Sequence, residues 1–362
     1  MALADPPLLL ATAPTVEVDG MAYPMMAQNL ERLRVTEALG GLSSLELVLI
    51  DSAPQSDGNA THAAGVGSPL QLGAGVRVFG GPSEVGALEI FDGQITGIEA
   101  EVREFGAPLF TVLAEDRLFS ARRKRRTRLF EDSTLKDVVG AIASDHGLTP
   151  EVRDAVDTIS ADWMQADETD LAFLRRILAR CDADAQIVGD RLQVGRIGMD
   201  RRSLVTLHAG NTLKYARIAA DVAEQVTEIR LASFDPATGE AVDARADCAG
   251  FGPGKGKSGP DILNEKFSAV SMHLGRCGPM TQSEADALAG YECARRARAF
   301  VKASGTATGN GELRVGSWIA FVGVNAQFEN EYAVTRAVHR WNRQEGYLTD
   351  FEAESAYLGE AR

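Results

Sequence analysis

Two β-rich stretches near opposite ends of this chain resemble each other. The first copy covers residues 72–116 and the second copy covers residues 315–355. From Ile95 and Val334 onward the two align without a gap, and the only length difference is a longer loop in the first copy, around 82–88. Self-similarity of this kind is typical of stacked or ring-forming architectures. With only two copies, the pattern favours pseudo-symmetry between two related β units over a solenoid.

Glycines punctuate the two copies at matching places. Gly73 and Gly80 of the first copy correspond to Gly316 and Gly323 of the second, and each pair brackets a short segment rich in apolar residues. Because the identity between the copies is low, a chance similarity between two β hairpins is the alternative interpretation.

The composition is that of a globular protein able to bury a sizeable core. The 362 residues are 45% hydrophobic and 24% charged, and a chain of this length favours about two to four domains. The net charge of -14 argues against sequence-independent nucleic-acid binding and is compatible with assembly on basic partners. No run of about 18 apolar residues predicts a membrane span. Residues 1–12 lack the positive segment of a signal peptide.

The order of strand, helix and turn patterns predicts a mainly β chain with α+β parts. Many short strands with turn signals at this spacing indicate barrels or sandwiches; we expect two related antiparallel β-barrel domains joined by a small α+β domain and a helix-containing insertion. The first barrel is assigned to residues 1–118 and the small α+β domain to 119–200. The second barrel is assigned to 201–245 together with 305–356, and the insertion, with a glycine-rich loop and a helix, to 246–304.

Helix and hairpin signals are clearest in the α+β domain. Ser133 is a candidate cap for a helix that ends near Gly147, and a second helix is expected to start near Thr169. Gly189 and Asp190 predict a two-residue hairpin turn.

The second half of the chain shows one hairpin pattern and one long helix pattern. Residues 226–234 and 240–245 flank a Pro- and Gly-containing turn and are predicted as a hairpin of the second barrel. Thr281 and Glu284 form a capping-box pattern that opens an Ala-rich helix running to about Lys302.

The four cysteines predict no metal site. Cys181 and Cys293 lie in helical patterns and are expected to be buried small hydrophobes. Cys248 and Cys277 flank a glycine-rich stretch. A bridge between these two is the alternative to free thiols, and free thiols are expected in a cytosolic product.

No catalytic, cofactor-binding or metal-ligating constellation is legible, so none is expected. Residues 251–258 resemble a phosphate-binding loop, but Phe251 stands where a glycine is needed. In addition, no apolar strand precedes the loop, and no clear helix is predicted to start at Ser258. Histidines at zinc-ligand spacing from cysteines are lacking. Solvated or hydrogen-bonded structural roles are expected for all five histidines, which are His62, His146, His208, His273 and His339.

A basic segment stands between the first barrel and the α+β domain. Its six candidate interaction residues are Arg122, Arg123, Lys124, Arg125, Arg126 and Arg128. One interpretation is an interface or lumen-facing patch that meets an acidic partner surface. The alternative is a solvated linker between two domains of an otherwise acidic protein. DNA binding is disfavoured because the segment lacks interleaved aromatic residues.

Three segments carry motifs that together resemble one family. Residues 118–139 (LFSARRKRRTRLFEDSTLKDVV) are similar to a barrel-to-helix junction, and 167–176 (DETDLAFLRR) to a helix with the pattern E-T/S-D-L-A-F-L-x-R. Residues 226–244, with their Asp-Pro-Ala-Thr-Gly turn, are similar to the first hairpin of a second barrel. The family is the phage late control D, or VgrG-type, tail hub family, and the resemblance covers residues 15–355.

The resemblance implies a structural baseplate hub of a phage tail or contractile injection system, without catalysis. In that family each subunit holds two related barrels, and three subunits form a ring of six quasi-equivalent barrels that adapts a hexameric inner tube to a trimeric spike. The implied partners are two further copies in a homotrimer, the inner tube protein, the spike protein, other baseplate proteins and cargo in the tube lumen. The chain would be made in the bacterial cytoplasm and become part of an assembled tail or injection particle, either a virion or an extracellular particle.

The sequence departs from complete VgrG proteins, which continue into an oligonucleotide-binding-fold domain and a β-helical spike. It ends at Arg362, soon after the second copy, so we expect the spike to be a separate protein. One alternative function is a tail-associated cell-wall hydrolase, which needs a His- or carboxylate-centred site in a cleft. Another is a host-binding β protein, for which the aromatic content of 6% is low.

Overall fold

The computed structural model describes residues 13–54, 60–64, 67–80, 87–153, 156, 160–199, 201–275 and 277–359. The predicted loops at 52–69 and 82–88 lie partly outside these residues, and the N-terminal segment 1–12 lies wholly outside them.

The first part of the chain forms an antiparallel sheet, called here the first β unit. Its elements are β1 (Thr15–Val18), β2 (Met21–Ala22), α1 (Pro24–Asn29), β3 (Leu30–Ala38), β4 (Ser44–Ile50), β5 (Ala53–Pro54), β6 (Ala60–Thr61), β7 (Gly75–Gly80), β8 (Leu88–Glu101) and β9 (Leu109–Asp116). In space the strands follow the order β3-β4-β9-β8-β7-β1-β2. Burial alternates along β7, as expected of a strand with one face on a core. Val35, Val76 and Val112 are fully buried in that core.

An α+β domain with its own core follows. Its elements are a 3₁₀ turn (Arg117–Arg122), β10 (Arg125–Thr134), α2 (Leu135–Asp145), β11 (Thr149–Val152), β12 (Ser160–Thr169), α3 (Asp170–Arg180), β13 (Ala183–Val188) and β14 (Arg191–Arg196). Thr169 caps α3 as predicted, but α2 is capped by Thr134 and not by Ser133. The reason is geometric: Thr134 and Asp137 form a reciprocal capping box, each side chain accepting from the other's backbone N–H.

The rest of the chain contains the second β unit and the segments inserted into it. Its elements are β15 (Leu204–His208), β16 (Leu213–Ala220), β17 (Glu228–Phe234), β18 (Ala241–Asp247), β19 (Lys257–Ser258), α4 (Gly259–Lys266), β20 (Ser271–Leu274), α5 (Gln282–Arg298), β21 (Val301–Thr308), β22 (Trp318–Val322), a 3₁₀ turn (Ala326–Phe328), β23 (Glu331–Asn342), β24 (Gly346–Ser355) and β25 (Tyr357–Leu358). The strands β16, β21, β24, β23, β22 and β15 form the sheet of the second β unit. All neighbouring pairs in it are antiparallel except β15 and β22, which are parallel.

The hairpin predicted for the second barrel belongs to a different sheet. Strands β17 and β18 do form a hairpin, but they pair with β20 in a separate three-stranded sheet covered by α5. The apolar side chains of the hairpin, such as Ile229 and Leu231, pack against Ala285 and Ala289 of α5. An alternating pattern predicts a strand with one buried face and leaves open which core that face covers.

Two helix predictions also need correction. Helix α5 begins with the predicted Thr281 capping box but ends at Arg298, because the alternating residues from Val301 onward form β21. A helix, α4, does start after Ser258, contrary to expectation. The glycine-rich segment before α4 packs against β25. Lys257 and Ser258 pair with β25, and a Cβ on Gly256 would clash with the Leu358 carbonyl oxygen at 2.1 Å.

The cysteines are paired differently from the sequence-based expectation. Cys248, after β18, forms a disulfide with Cys293 of α5, whereas Cys181 and Cys277 are free. Cys181 is buried as expected. The hairpin and α5 share one small core, which brings the two bonded cysteines together.

The predicted fold class is confirmed: the protein is mainly β, with two related β units and intervening α+β parts. The two units share one continuous sheet of 13 strands because β23 pairs with β3. Among the described residues no helix is long and apolar enough to cross a bilayer.

Candidate assembly surface

The strands of the two β units follow the same spatial order. The order β3-β4-β9-β8-β7-β1 in the first unit corresponds to β16-β21-β24-β23-β22-β15 in the second. Strands β7, β8 and β9 contain the first sequence copy, and β22, β23 and β24 contain the second. The similarity detected in three strands therefore extends to five, while the sixth strand differs in direction: β1 runs antiparallel to β7, and β15 runs parallel to β22.

One irregularity of the sheet falls at equivalent positions in the two units, which a chance similarity does not explain. The pairing of β8 with β9 shifts after Ile95, opposite Ala114. The pairing of β23 with β24 shifts after Val334, opposite Ala353. Ile95 and Val334 are the two residues from which the sequence copies align without a gap. Bulges are positional features of a fold, so the shared bulge supports a true repeat.

A second shared bulge lies outside the sequence copies. The pairing of β3 with β4 shifts between Leu30 and Arg32. The pairing of β16 with β21 shifts between Leu213 and Tyr215. These two strand pairs show no repeat that could be read from the sequence, and their register nevertheless matches.

The matching glycines make matching hydrogen bonds. The Gly73 N–H donates to the Ile95 carbonyl over 2.8 Å, and the Gly316 N–H donates to the Val334 carbonyl over 3.2 Å. Both glycines have a positive φ, of 88° and 82°, a conformation that favours glycine. The sequence pattern thus reflects a backbone requirement.

The two units meet edge to edge inside one chain. Strand β23 pairs with β22 at its start and then changes partner, so that residues from Arg336 to Asn342 pair antiparallel with β3. Glu37 of β3 is buried at this junction and accepts a hydrogen bond of 2.8 Å from Arg314 Nε. Burial alone would raise the pKa of Glu37, but the charge and hydrogen bonds of Arg314 hold it below its ordinary value.

The corresponding edges of β8 and β16 have no partner strand among the described residues. Strand β8 leaves β7 after Gln94, and its remainder pairs on one side only, with β9. Apart from an isolated bridge between Leu213 and Ala209, strand β16 pairs on one side only, with β21. Apolar side chains are exposed on both: Ile98 by 44%, Val102, just after β8, by 87%, and Tyr215 by 60%. Long apolar edges of this kind are templates for pairing with another strand.

The basic segment lies on the α+β domain, and most of its charges are paired within the chain. Arg122 contacts Glu115, Arg125 contacts Asp167, and Arg126 and Arg128 both contact Asp145 and Asp170; these ion pairs have N···O distances of 2.5 to 3.5 Å. Arg123 stacks on the ring of Phe119. Arg123 and Lys124 make no ion pair with the described residues and border a depression next to His146.

A row of Ser120, His146 and Asp170 lies beside this segment and could not be recognised in the sequence. Ser120 Oγ is 2.9 Å from His146 Nδ1, and His146 Nε2 is 2.9 Å from Asp170 Oδ2. The three residues come from the 3₁₀ turn, the end of α2 and the start of α3, so no short motif joins them.

The geometry of this row fits a structural role better than catalysis. In Ser-His-Asp hydrolases the serine faces Nε2 and the aspartate faces Nδ1, and here the two are exchanged. Asp170 also accepts hydrogen bonds from Arg128 and Gln165. Ser120 Oγ donates to the Arg117 carbonyl. Among the described residues no group of His, Cys, Asp and Glu side chains could hold a metal ion.

Solved structures of tail proteins share this fold. A 43 kDa tail protein of prophage MuSo2 from Shewanella oneidensis has a TM-score of 0.67 at 13% identity, with 94% of this chain and 97% of that chain covered. A tail protein from Neisseria meningitidis has a TM-score of 0.64 at 11% identity, with 96% and 98% covered. An E. coli component of the type VI secretion system, itself described as similar to T4 bacteriophage tail proteins, has a TM-score of 0.58 at 14% identity, with 96% and 79% covered.

At these identities the likeness establishes the fold of phage tail proteins. No curated protein sequence matches the chain. One family model, described as the Alg8 N-terminal domain, matches residues 10–342. Because this match spans nearly the whole sequence, the chain belongs to the Alg8 N-terminal domain family.

Proposed function

We propose that the chain is a structural hub subunit of a phage tail or contractile injection machine. Three copies form a ring that adapts a hexameric inner tube to a trimeric spike. The observation that carries this proposal is the equivalence of five strands in each β unit, in order, direction and shared bulges. Three chains with two equivalent units each present six similar surfaces on a threefold axis, which closed cyclic symmetry permits.

The tail-protein fold supports a place in an assembled particle. The proteins of similar fold are called tail proteins or a type VI secretion component. The proposed partners are two further copies of this chain, the tube protein, a trimeric spike protein, other baseplate proteins and cargo in the lumen. The protein is made in the bacterial cytoplasm and then incorporated into the virion or extracellular particle.

Within this proposal, fewer side chains of the basic segment are available to a partner than its sequence suggests. Arg122 pairs with Glu115 of the first β unit, and Arg125, Arg126 and Arg128 pair with acidic residues of the α+β domain. Arg123 and Lys124 are the two side chains left to meet an acidic partner surface.

A hydrolase is the second candidate, and the row of Ser120, His146 and Asp170 is the one observation that favours it. The exchanged ring nitrogens and the ion-paired Asp170 weigh against it. Ser120→Ala should leave cell-wall degradation by the assembled particle unchanged. A loss of degradation in a variant that still assembles would favour the hydrolase.

The mass of the purified protein in solution tests the hub proposal. Light scattering is measured for the chain alone and for mixtures with the tube and spike proteins of the same particle. A trimer, alone or only in a mixture, is the expected result. A monomer in every mixture would overturn the proposal.

A further inference from the structure

The internal junction between β23 and β3 specifies how two copies of the chain would meet. In the strand equivalence established above, β23 corresponds to β8 and β3 corresponds to β16. The free edges of β8 and β16 are therefore the counterparts of two edges that already pair within the chain. We propose that β8 of one copy pairs antiparallel with β16 of the next copy, in the register of the internal junction; this inference rests on the proposed ring.

The shared bulges transfer the register residue by residue. Within the chain, Arg340 pairs with Arg34. The bulge between β8 and β9 makes Glu101 the counterpart of Arg340. The bulge between β16 and β21 makes Arg217 the counterpart of Arg34. Glu101 of one copy consequently lies opposite Arg217 of the next.

The transferred register places apolar residues side by side on the core face. The pairs are Ile98 with Ala220, Ala100 with Ile218, and Val102 with Ala216. Each partner in the first two pairs lies opposite a buried residue of its own chain: Ile98 opposite Val112 and Ala100 opposite Phe110 in β9, and Ile218 opposite Ala303 and Ala220 opposite Val301 in β21. Pairing the two edges joins the two core faces into one surface.

The outward face gains a complementary charge pair. Glu101, which pairs with Arg103 of its own chain over 2.9 Å, comes to lie opposite Arg217, and Glu99 lies diagonally opposite the same arginine. Opposite charges directly across a strand pair are stabilising. A slip of one residue would turn every side chain to the other face and set apolar residues against charges. The register is therefore selected by side-chain chemistry as well as by the repeat.

The two kinds of junction differ in one respect that matters for assembly. The buried ion pair of Glu37 and Arg314 has no counterpart between copies, because Ala220 and Gln71 occupy the equivalent positions. The internal junction is thus fixed by a buried ion pair, while the junction between copies consists of strand pairing, apolar contact and a surface ion pair. Such a junction can form after each subunit has folded.

Cysteine crosslinking between chains tests the register. Glu101→Cys and Arg217→Cys are made in separate chains, each also carrying Cys277→Ser to remove the half-exposed free thiol. The two variants are mixed, alone or with the tube and spike proteins, and oxidised with copper-phenanthroline. A covalent dimer on a non-reducing gel is expected from the mixture and from neither variant by itself. Glu101 and Arg217 are exposed, so the substitutions should not affect folding.

A matched pair displaced along the strand serves as the register control. Glu101→Cys mixed with Ala219→Cys should crosslink at least about fivefold less, because a disulfide requires its two Cα atoms within about 7 Å. More crosslinking by the displaced pair, or dimers from Glu101→Cys alone, would overturn the register. Light scattering on the same mixtures separates the two ideas: a trimer without the expected crosslink refutes this junction and leaves the hub proposal standing, whereas monomers throughout refute both.

Discussion

Glu37 of β3 and Arg314, which precedes β22, form a buried ion pair between the two β units. They are 277 residues apart in the sequence. The Glu37 side chain is fully buried and that of Arg314 is 18% exposed. The second carboxylate oxygen of Glu37 accepts the Val315 N–H over 3.3 Å, and Arg314 also donates to the Glu89 carbonyl. One carboxylate thus fixes the start of β22 against the edge strand of the other unit.

Removing the Glu37 charge should destabilise the protein strongly. Glu37→Gln leaves the Arg314 guanidinium without its charge partner, and breaking a buried pair in this way costs about 3 to 5 kcal/mol of unfolding free energy. Urea unfolding of the variant measures the change.

Two further variants distinguish a buried charge from lost packing. Glu46→Gln removes the acid of an exposed pair with Arg32 and should cost less than about 1 kcal/mol. Glu37→Leu combined with Arg314→Met should recover most of the stability lost in Glu37→Gln, since apolar replacements of a buried pair are often neutral. Equal losses in Glu37→Gln and Glu46→Gln would contradict the assigned role.

Asp116 should lower stability as the pH rises from about 4 to 6. Its buried carboxyl accepts the N–H groups of Ser43 and Leu118, and burial raises its pKa to about 6. The unfolded chain releases this proton near pH 4, while the folded chain holds it to a higher pH. Ionisation of Asp116 therefore favours the unfolded state and lowers the free energy of unfolding. Asp116→Asn lacks this titration. Relative to wild type the variant should gain about 2 to 3 kcal/mol between pH 4 and 7.

The comparison is made by urea unfolding at several pH values. Asp286→Asn, at an exposed position of α5, is the matched control and should run parallel to wild type. A constant difference between Asp116→Asn and wild type across this range would refute the prediction.

His339 should have the opposite effect: through this residue the free energy of unfolding should increase as the pH rises. The ring is fully buried, Nδ1 lies 2.8 Å from the Tyr347 hydroxyl, and burial lowers the pKa of His339 to about 4. The unfolded chain binds the proton below about pH 6.5, so wild-type stability rises between pH 4 and 6.5. His339→Gln should lose this rise, about 3 kcal/mol across the window. A pH profile parallel to wild type would show that the ring titrates normally in the folded protein.

Much of the fold could be predicted from local patterns. The copies beginning at Gly73 and Gly316 could be matched because both glycines serve a backbone conformation that other residues adopt poorly. The caps at Thr169 and Thr281 could be located because a cap acts within three residues.

Contacts between distant residues could not be predicted in the same way. Nothing near Glu37 in the sequence indicates Arg314, and nothing near Ser120 indicates His146. The sequence pattern of β17 and β18 predicts a hairpin but not the sheet that it joins, because apolar alternation predicts a buried face and not its partner. The correspondence between the open edges of β8 and β16 can be inferred only from the strand register at the junction of β23 and β3.

The disulfide between Cys248 and Cys293 predicts a definite thiol count. Protein isolated without reductant and unfolded in guanidinium should show two free thiols, those of Cys181 and Cys277, and four after reduction. In the folded protein only Cys277 should react readily, because Cys181 is buried and burial raises its pKa to about 11.

Cys293→Ser should lower stability by about 2 to 4 kcal/mol, since the bond closes a long loop, with a sequence separation of 45 residues. Cys277→Ser is the matched control and should have little effect. Four reactive thiols in the unreduced, unfolded protein would show that the two cysteines are not bonded.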